Sequence, residues 1–300
     1  MRVAIVVNPR SGKGKAIFAG DALKAEVERQ GIQAFLVPAS TNGELAEAIV
    51  EADRVAIIGG DGTIHRLLPT LSDARRPVYH YPMGTENLFA RSWNCRANTK
   101  HAIHALLHAT PVEMDLLELH APPHPPSLAA IMVSLGPDAS VVHRVDRVRT
   151  GPISHATYIK PILAELADFR LDPLTIHADA RPVVESRPGL TVIANLHEYA
   201  MRLDPAPNAD PTDGLADLAF LPCRSRSAAL AWLIRARFRS TANATRHKAR
   251  EFHITARKAV AVQADGEPLP VQPQLDLRIL VRHAALRVLP GYRPVASTTP

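Results

Sequence analysis

Apolar runs alternate with helix-like segments through about the first 110 residues of the chain. Residues 2–9 (RVAIVVNP) and 54–60 (RVAIIGG) are β-branched runs that end in turn-forming residues, a pattern typical of strands buried on both faces of a parallel sheet. Residues 11–31 begin as a glycine-rich turn and continue as a predicted helix that stops at Gly31. The short spacing of these elements predicts an α/β domain with a doubly wound sheet.

The pattern changes after about residue 111. Short strand-like runs such as VEMDLLELH, LTVIANL and LDLRILV are separated there by turns rich in proline and glycine, which is the spacing of an all-β sandwich or barrel. Helical segments near 157–170 and 227–240 interrupt these strands. We therefore predict an α/β domain over residues 1–110, on which residues 286–300 could pack back, and a β-rich domain over residues 111–285.

Composition and charge narrow the classes of protein and partner. With 46% hydrophobic and 21% charged residues among 300, the chain is typical of soluble globular proteins with sizeable cores. The net charge of +6 and the pI near 9.6 favour anionic partners, whether nucleotide, anionic lipid surface or nucleic acid. No apolar run reaches the ~20 residues of a membrane span, and the first residues lack a secretory pattern, so we expect a cytoplasmic protein. Cys95 and Cys223 match no metal or redox spacing.

The turn GGDGT, which begins at Gly59, carries the first candidate chemistry. Gly59, Gly60 and Gly62 allow backbone N–H groups to converge on an anion. The carboxylate of Asp61 would be costly beside a phosphate unless a cation lay between them, and a Mg²⁺–nucleotide meets both demands. A tight strand-to-helix turn with Asp61 or Thr63 as its cap explains the same residues without a ligand.

Two further turns of this kind follow predicted strands. They offer glycine and polar residues, namely Asn8, Ser11 and Gly12 in NPRSGKGK and Gly84, Thr85 and Asn87 in YPMGTENLFAR. The second turn opens a predicted helix whose first amides can also face an anion. Turns at the carboxyl ends of neighbouring parallel strands lie at one edge of a sheet, where ligands of α/β folds bind. Neither a Walker A motif nor a G-x-G-x-x-G motif is present in the sequence.

The three motifs NPRSG, GGDGT and GTENLFA, in this order and after successive strands, resemble the catalytic domain of the diacylglycerol kinase and sphingosine kinase family, especially its small bacterial lipid kinases. Three later segments agree: SLGPDASVV, DPTDGLADLAFLP and VQADGEPL resemble the family's Gly-x-Asp-Ala, Asp-Gly-x-Leu-Asp and Asp-Gly-Glu. The likeness spans nearly the whole chain. It implies an N-terminal α/β domain of the NAD-kinase and phosphofructokinase type, followed by a C-terminal β-sandwich-like domain.

The resemblance implies that the first domain binds ATP. The family's nucleotide contacts fall on the GGDGT loop and the turn after the next strand, that is, on Gly59, Gly60, Asp61, Gly62, Thr63 and Thr85. A further hydroxyl contact falls on Ser40 or Thr41, between which the sequence does not choose. Thr41 and Glu44 also have the spacing of a capping box, which explains Thr41 without a ligand.

The resemblance also implies Mg²⁺ and a set of catalytic groups. Family members bind Mg²⁺ on the β domain through oxygen ligands that map to the side chain of Asp213 and the carbonyls of Asp210 and Leu215. An Asp-Gly pair after proline is also an ordinary turn. By the same resemblance Glu267 would accept the proton of the acceptor hydroxyl, with Asp265 as a metal or orienting carboxylate and Asp61 near the Mg²⁺–phosphate.

A basic stretch covers residues 224–250, with eight Lys or Arg and no acidic residue. Leu230, Leu233, Ile234 and Phe238 fall at helical spacing within it. A basic amphipathic helix of this kind could rest on an anionic bilayer, which would make the protein peripheral to the inner membrane face. A helix that packs its apolar face on the β domain and leaves its basic face in solvent explains the same pattern.

Together these features predict an ATP-dependent lipid kinase that transfers the γ-phosphoryl group to a hydroxyl group of a lipid such as diacylglycerol. An NAD kinase-like enzyme with a soluble acceptor is an alternative. A non-catalytic nucleotide- or lipid-binding regulator is another, because His65 and Arg66 stand where the family commonly has Asn and Glu. Nucleic acid is not an expected partner, because no aromatic platform interleaves with the basic stretch. Neither the lipid nor the oligomeric state can be read from the sequence.

Overall fold

The structure is a computed structural model that describes residues 1–39, 43–148, 160–161, 164, 171–237 and 244–292. The chain forms two compact units, Met1–Glu113 together with the segment that starts at Leu286, and Met114–Ala285. The first is an α/β unit and the second is built mainly from antiparallel strands, so the predicted fold class is confirmed.

The first unit alternates strands and helices. In chain order these are β1 (Arg2–Val7), α1 (Lys15–Arg29), β2 (Gln33–Pro38), α2 (Gly43–Glu51), β3 (Arg54–Gly59), α3 (Asp61–Ala74), β4 (Val78–Pro82), α4 (Leu88–Ser92) and α5 (Thr99–His108). The four strands are parallel in the order β2-β1-β3-β4, so their carboxyl ends share one edge. Near the end of the chain, Val288 adds a parallel pairing with Val78 of β4.

Both faces of this sheet are covered by helices. The β-branched residues of β1 and β3, such as Val3, Ile5 and Ile57, are fully buried. Helix α1 packs against α5, and α2 packs against α3, so the helices form two pairs. The continuous apolar runs in the sequence follow from this burial, because a strand covered on both faces has no polar side.

Within the described ranges, the second unit contains the remaining strands together with helices. These are β5 (Val112–His120, which begins in the first unit), β6 (Ser127–Ala129), β7 (Met132–Leu135), α6 (Pro137–Val148), β8 (Leu174–Ala178), β9 (Arg181–Arg187), β10 (Gly189–Ala194), β11 (Ala216–Pro222), α7 (Arg226–Arg237), β12 (Thr245–Ala249), β13 (Glu251–Ala256), β14 (Val262–Ala264), β15 (Glu267–Pro268) and β16 (Leu275–Val288). One sheet has the order β12-β11-β10-β7-β14-β15, and a second row of strands has the order β16-β13-β8-β9.

A single apolar core joins these two sets of strands. Leu218 and Phe220 of β11 belong to the same buried cluster as Phe252 and Ile254 of β13 and Ile279 of β16. The alternation of buried and exposed positions in β8 and β16 matches the period of strands with one face on a core. The second unit is therefore layered as the sequence predicts.

The two predicted helices of the second half have different outcomes. Most of the predicted segment 157–170 lies outside the described residues. The helix predicted over 227–240 is present as α7, of which Arg226–Arg237 is described. Helix α6 was not predicted as a helix, because its residues follow a strand and begin with proline, which suits the first turn of a helix as well as a loop.

Candidate active site

Backbone hydrogen bonds connect the three predicted turns at one edge of the sheet in the first unit. The amide of Met83 donates to the carbonyl of Gly59 (2.7 Å), and the amide of Gly12 donates to the carbonyl of Met83 (3.0 Å). The amide of Asn8 donates to the carbonyl of Ile58 (3.0 Å). The structure thus places the NPRSG, GGDGT and GTEN motifs side by side, because each follows a strand of the same parallel sheet.

Two glycines bring the GGDGT and GTEN turns into direct contact. A Cβ added to Gly84 would lie 2.8 Å from the Cα of Gly60, and a Cβ added to Gly60 would lie 3.0 Å from the Cα of Gly84. The backbones of the two turns could not approach this closely with side chains at either position. These glycines therefore serve the packing of the turns on each other.

The carboxylate of Asp61 holds the start of α4. Its Oδ2 accepts a hydrogen bond from the amide of Leu88 (2.9 Å), and its Oδ1 accepts one from the amide of Phe89 (3.1 Å). The sequence predicts that the first amides of α4 can face an anion, and in the structure the carboxylate of Asp61 is the anion that two of them face. Asp61 is thus a structural link between two turns, and this role differs from the predicted one beside Mg²⁺.

The start of α3 is arranged differently. Its N-cap residue, Gly60, is extended (φ −103°, ψ −176°) and has no side chain with which to cap the helix. The first amides of a helix have no partner within the helix and carry the positive end of its dipole. The side chain of Arg66 turns back to the same place, where its Nε donates to the carbonyl of Gly62 (3.1 Å). This helix start is suited to an anion.

Polar side chains predicted to bind nucleotide also support the turns. The Nδ2 of Asn8 donates to the Oγ1 of Thr63 (2.8 Å), and Thr63 is only 3% exposed. The side chain of Asn87 closes its own turn, since its Oδ1 accepts from the amide of Gly84 (2.8 Å). Thr85 is exposed at this edge. Asn8, Thr63 and Asn87 thus have intramolecular partners that fix the shape of the edge.

The remaining predicted nucleotide residues lie in or near the first turn. Ser11 and Gly12 belong to a short 3₁₀ turn, in which Gly12 has φ +59°. A Cβ on Gly12 would lie 2.5 Å from the Cε of Met83, which is the flexible end of that side chain and can move, so the position favours glycine for its backbone angle. Ser40 and Thr41 lie outside the described residues.

A buried histidine, which the sequence analysis did not single out, supports the GGDGT turn. His80 on β4 is fully buried, and its Nε2 lies 3.0 Å from the carbonyl oxygen of Gly59. Burial lowers the pKa of His80 to about 4, although the hydrogen bond to Gly59 opposes the shift. The ring is therefore neutral at pH 7, and Nε2 carries the proton that it donates to Gly59.

In the second unit, Asp265 anchors the Asp-Gly-Glu turn. Asp265 is 7% exposed, and its carboxylate accepts hydrogen bonds from the amides of Ala130 (2.7 Å), Ile131 (2.8 Å) and Met132 (3.0 Å). Backbone amides are strong partners for a buried carboxylate. The sequence analysis assigned Asp265 either a metal or an orienting role, and the three amide bonds suit the orienting role, because they fix the turn that precedes Glu267.

Gln263 is a second clamp on the same turn, and sequence reasoning missed it. Its Oε1 accepts from the amide of Gly266 (2.7 Å), and its Nε2 donates to the Oγ of Ser134 (2.7 Å), which in turn donates to Asp138 (2.5 Å). Gln263 is only 2% exposed. A glutamine at a buried strand position is the sequence signal that could have found it. Glu267 follows this clamped turn as the first residue of β15 and is half-buried.

The predicted Mg²⁺ ligands lie in a turn where a lysine is already bound. The Oδ2 of Asp213 lies 2.7 Å from the Nζ of Lys248, and its Oδ1 accepts from the amide of Leu215 (3.0 Å). Lys248 also lies 3.3 Å from the Oδ2 of Asp217. The carboxylate of Asp210 is used within the turn, by the amide (3.0 Å) and hydroxyl (2.7 Å) of Thr212. The side chain of Asp213 does not fit a Mg²⁺ ligand as it stands, because the ammonium of Lys248 contacts its Oδ2 and the amide of Leu215 donates to its Oδ1.

Burial and neighbouring charges have opposing effects on the pKa values of Lys248 and Asp217. Burial opposes the charge of Lys248, but its hydrogen bond to Asp213 and the charge of Asp217 outweigh burial and raise the pKa of Lys248. Burial raises the pKa of Asp217 despite the opposing effect of Lys248. In the part of the chain that the structure describes, no group of three or more His, Cys, Asp or Glu is arranged to hold a metal ion.

Asp115 is a further buried carboxylate that sequence reasoning missed. It is 0% exposed and accepts from the amides of Gly214 (2.7 Å) and Ala284 (2.8 Å), with the Nδ1 of His283 at 2.7 Å. Its own amide donates to the carbonyl of Pro211 (2.7 Å). An aspartate inside the apolar run VEMDLLELH was the available signal. Asp115 fixes the turn that carries Asp213.

Comparison with known proteins shows to which family this chain belongs. The model of the diacylglycerol kinase catalytic domain matches residues 2–119, which contain the three linked turns. The model described as the YegS C-terminal NAD kinase beta sandwich-like domain matches residues 131–291, which contain the clamped Asp-Gly-Glu turn. The chain belongs to the diacylglycerol kinase family. This membership supports a kinase.

Relatives of the diacylglycerol kinase family match the chain along nearly its whole length. A diacylglycerol kinase of Mycobacterium tuberculosis, from strains CDC 1551 and H37Rv, is 26% identical over 96% of this chain and 94% of the relative. The crystal structure of a diacylglycerol kinase from Bacillus anthracis strain Sterne has a TM-score of 0.71 at 16% identity, covering 98% of this chain and 97% of that chain. Another structure from the same strain has a TM-score of 0.76 at 18% identity, covering 98% and 95%. These structures share the fold.

The basic stretch includes a helix with one packed side. Trp232 of α7 is 5% exposed, and its Nε1 donates to the carbonyl of Pro222 (3.0 Å). Leu230 and Ile234, which are four residues apart on the same helix, are 51% and 54% exposed. The guanidinium of Arg235 lies 5.4 Å from the ring centre of Trp232. Among the described residues, no helix is both long and apolar enough to cross a bilayer.

Proposed function

We propose that this protein is an ATP-dependent lipid kinase, which transfers the γ-phosphoryl group of Mg-ATP to a hydroxyl group of a lipid such as diacylglycerol. The observation that carries the proposal is the start of α3, which has glycine as its N-cap residue and is framed by three glycine-containing turns in a member of the diacylglycerol kinase family. The Mycobacterium tuberculosis relative bears the name of this activity.

The phosphates of the nucleotide would bind at the start of α3. The amides that follow Gly60 point along the helix axis toward this position, where the helix dipole favours negative charge. Arg66 brings a positive charge to the same turn. Neutral His80 and Asp61 lie behind the turn, where they fix the carbonyl of Gly59 and the start of α4. Mg²⁺ bound to the nucleotide would neutralise charge on the phosphates.

Glu267 would activate the acceptor. The lipid oxygen forms a bond to the γ-phosphorus while the bond from phosphorus to the leaving ADP oxygen breaks, and the hydroxyl proton passes to the carboxylate of Glu267. Asp265 and Gln263 support this role, because they hold the Asp-Gly-Glu turn and leave Glu267 at its half-buried end. Positioning of this kind is a large part of catalysis in phosphoryl transfer.

Peripheral contact with an anionic membrane surface is part of the proposal. The exposed side chains of Leu230 and Ile234 accompany Arg235 on α7. An apolar pair beside cationic side chains suits the boundary between headgroups and acyl chains. The lipid acceptor is insoluble in water, so the enzyme would meet it at such a surface.

The experiment incubates the purified protein with γ-labelled ATP, Mg²⁺ and mixed lipid vesicles, followed by extraction with organic solvent. We expect label in the organic phase, a loss of about 10²-fold or more in Glu267→Gln, and unchanged turnover in Glu185→Gln, which alters an exposed acid of β9.

Label that stays in the aqueous phase would overturn the lipid acceptor. If NAD then became labelled, the enzyme would be an NAD kinase-like enzyme. Binding of ATP without transfer to either acceptor would indicate a regulator. Near-full turnover by Glu267→Gln would show that Glu267 is not the proton acceptor. The lipid kinase activity itself would then still stand.

A further inference from the structure

Lys248 binds Asp213, the aspartate to which the family resemblance assigns a divalent cation. Its Nζ is 2.7 Å from Asp213 and 3.3 Å from Asp217, so one ammonium bridges two carboxylates. The side chain of Asp217 is 15% exposed and that of Asp213 is 28% exposed. All three residues of this arrangement belong to the second unit.

The sheet explains how Lys248 reaches this position. Strands β11 and β12 are antiparallel, and Asp217 lies directly opposite Lys248 in their register. Opposite charges at such paired positions attract across the strands. The turn that carries Asp213 immediately precedes β11, so the long side chain of Lys248 extends from its own pair to the turn.

The charges favour one ammonium over an added divalent ion. Two carboxylates and one ammonium leave a net charge of −1, and Asp213 also receives the amide of Leu215. Mg²⁺ requires near-octahedral oxygen ligands at about 2.0–2.1 Å. At the Oδ2 of Asp213 it would have to displace Lys248, whose ammonium would then lose the closer of its two carboxylate partners.

We infer that Lys248 replaces the divalent cation of this turn, so that the Asp210–Leu215 turn of this chain is held by an internal ammonium and requires no metal. The buried Asp115 supports the same arrangement, because it holds Gly214 through backbone hydrogen bonds that do not depend on a cation. The Mg²⁺ that accompanies ATP is a separate ion, and the inference concerns only the turn.

Thermal unfolding without nucleotide tests the inference. After treatment with a chelator, the wild-type protein should unfold at the same temperature with and without millimolar Mg²⁺ or Mn²⁺. Lys248→Met should unfold several degrees lower, and either ion should restore part of the loss, because two carboxylates then lack a cation. Lys258→Met is the matched control. The side chain of Lys258 is 77% exposed and lies 3.4 Å from Asp172, so this change should affect neither the unfolding temperature nor its response to metal.

Manganese binding provides a measurement that does not depend on the folding of Lys248→Met. Mn²⁺ is titrated into nucleotide-free wild type and into Asp213→Asn, and bound Mn²⁺ is measured by electron paramagnetic resonance. We expect the two proteins to bind the same amount of Mn²⁺. A stoichiometric Mn²⁺ that disappears in Asp213→Asn would overturn the inference, as would wild-type unfolding temperatures that rise with Mg²⁺. Neither result would bear on kinase activity, so the two proposals can fail separately.

Discussion

The free energy of unfolding should fall less between pH 7 and pH 4 in His80→Gln than in the wild-type protein. The ring of His80 is fully buried on β4, and burial lowers its pKa to about 4. The carbonyl oxygen of Gly59 at 3.0 Å can only accept a hydrogen bond, so the neutral ring donates to it. The amide of glutamine can donate a similar bond but does not titrate.

The magnitude follows from the two states of the histidine. In the unfolded chain its pKa is near 6.5. The folded pKa is depressed, so the stability that His80 contributes is complete above pH 6.5 and is lost as the pH falls toward 4, where the unfolded state alone binds the proton. A pKa change from 6.5 to about 4 corresponds to about 3 kcal/mol.

Denaturant unfolding at a series of pH values from 7 to 4 measures this difference. The free energy of unfolding of wild type minus that of His80→Gln should fall by about 3 kcal/mol across the series. Carboxylates titrate in both proteins and cancel in the difference. His124→Gln, at an exposed loop histidine, should run parallel to wild type. Parallel curves for wild type and His80→Gln would refute the reasoning.

Three other changes test the described contacts. Asp265→Asn should lower the free energy of unfolding by about 3 kcal/mol or more, because charge-assisted bonds to three amides weaken; a loss below about 1 kcal/mol in denaturant unfolding would contradict the clamp. Gly84→Ala should cost about 1–3 kcal/mol because its Cβ would lie 2.8 Å from Gly60, and Gly43→Ala, with open space around it, is the control. Ile234→Ser should weaken sedimentation with anionic vesicles about tenfold, and equal binding would remove the membrane contact of α7.

The edge with three turns could be predicted because it depends on local pattern. Alternating strands and helices indicate a parallel sheet, and a parallel sheet brings successive turns to one edge. Roles of side chains within that edge were harder to predict. Whether Asp61 faces a metal or the amides of Leu88 and Phe89 depends on where a helix 27 residues later begins its first turn. No local pattern encodes that distance.

The second unit shows the same limit more strongly. Asp265 contacts an amide 135 residues earlier in the chain, and Lys248 contacts a carboxylate 35 residues earlier. Both partners are set by strand register, which one sequence does not reveal. Lys248 lay within a stretch that we interpreted by its net charge. The structure shows that this lysine is paired, so the charge of a stretch is a poor guide to any one of its residues.

The hydrogen bonds of Asp61 couple the start of α3 to the start of α4. Any displacement of the first turn of α3 must carry the amides of Leu88 and Phe89 with it or break both bonds. A displacement of α3 on ligand binding would therefore be transmitted to the start of α4. The rate at which these two amide hydrogens exchange with solvent can therefore report whether a ligand is bound at the start of α3, without any label placed in the site.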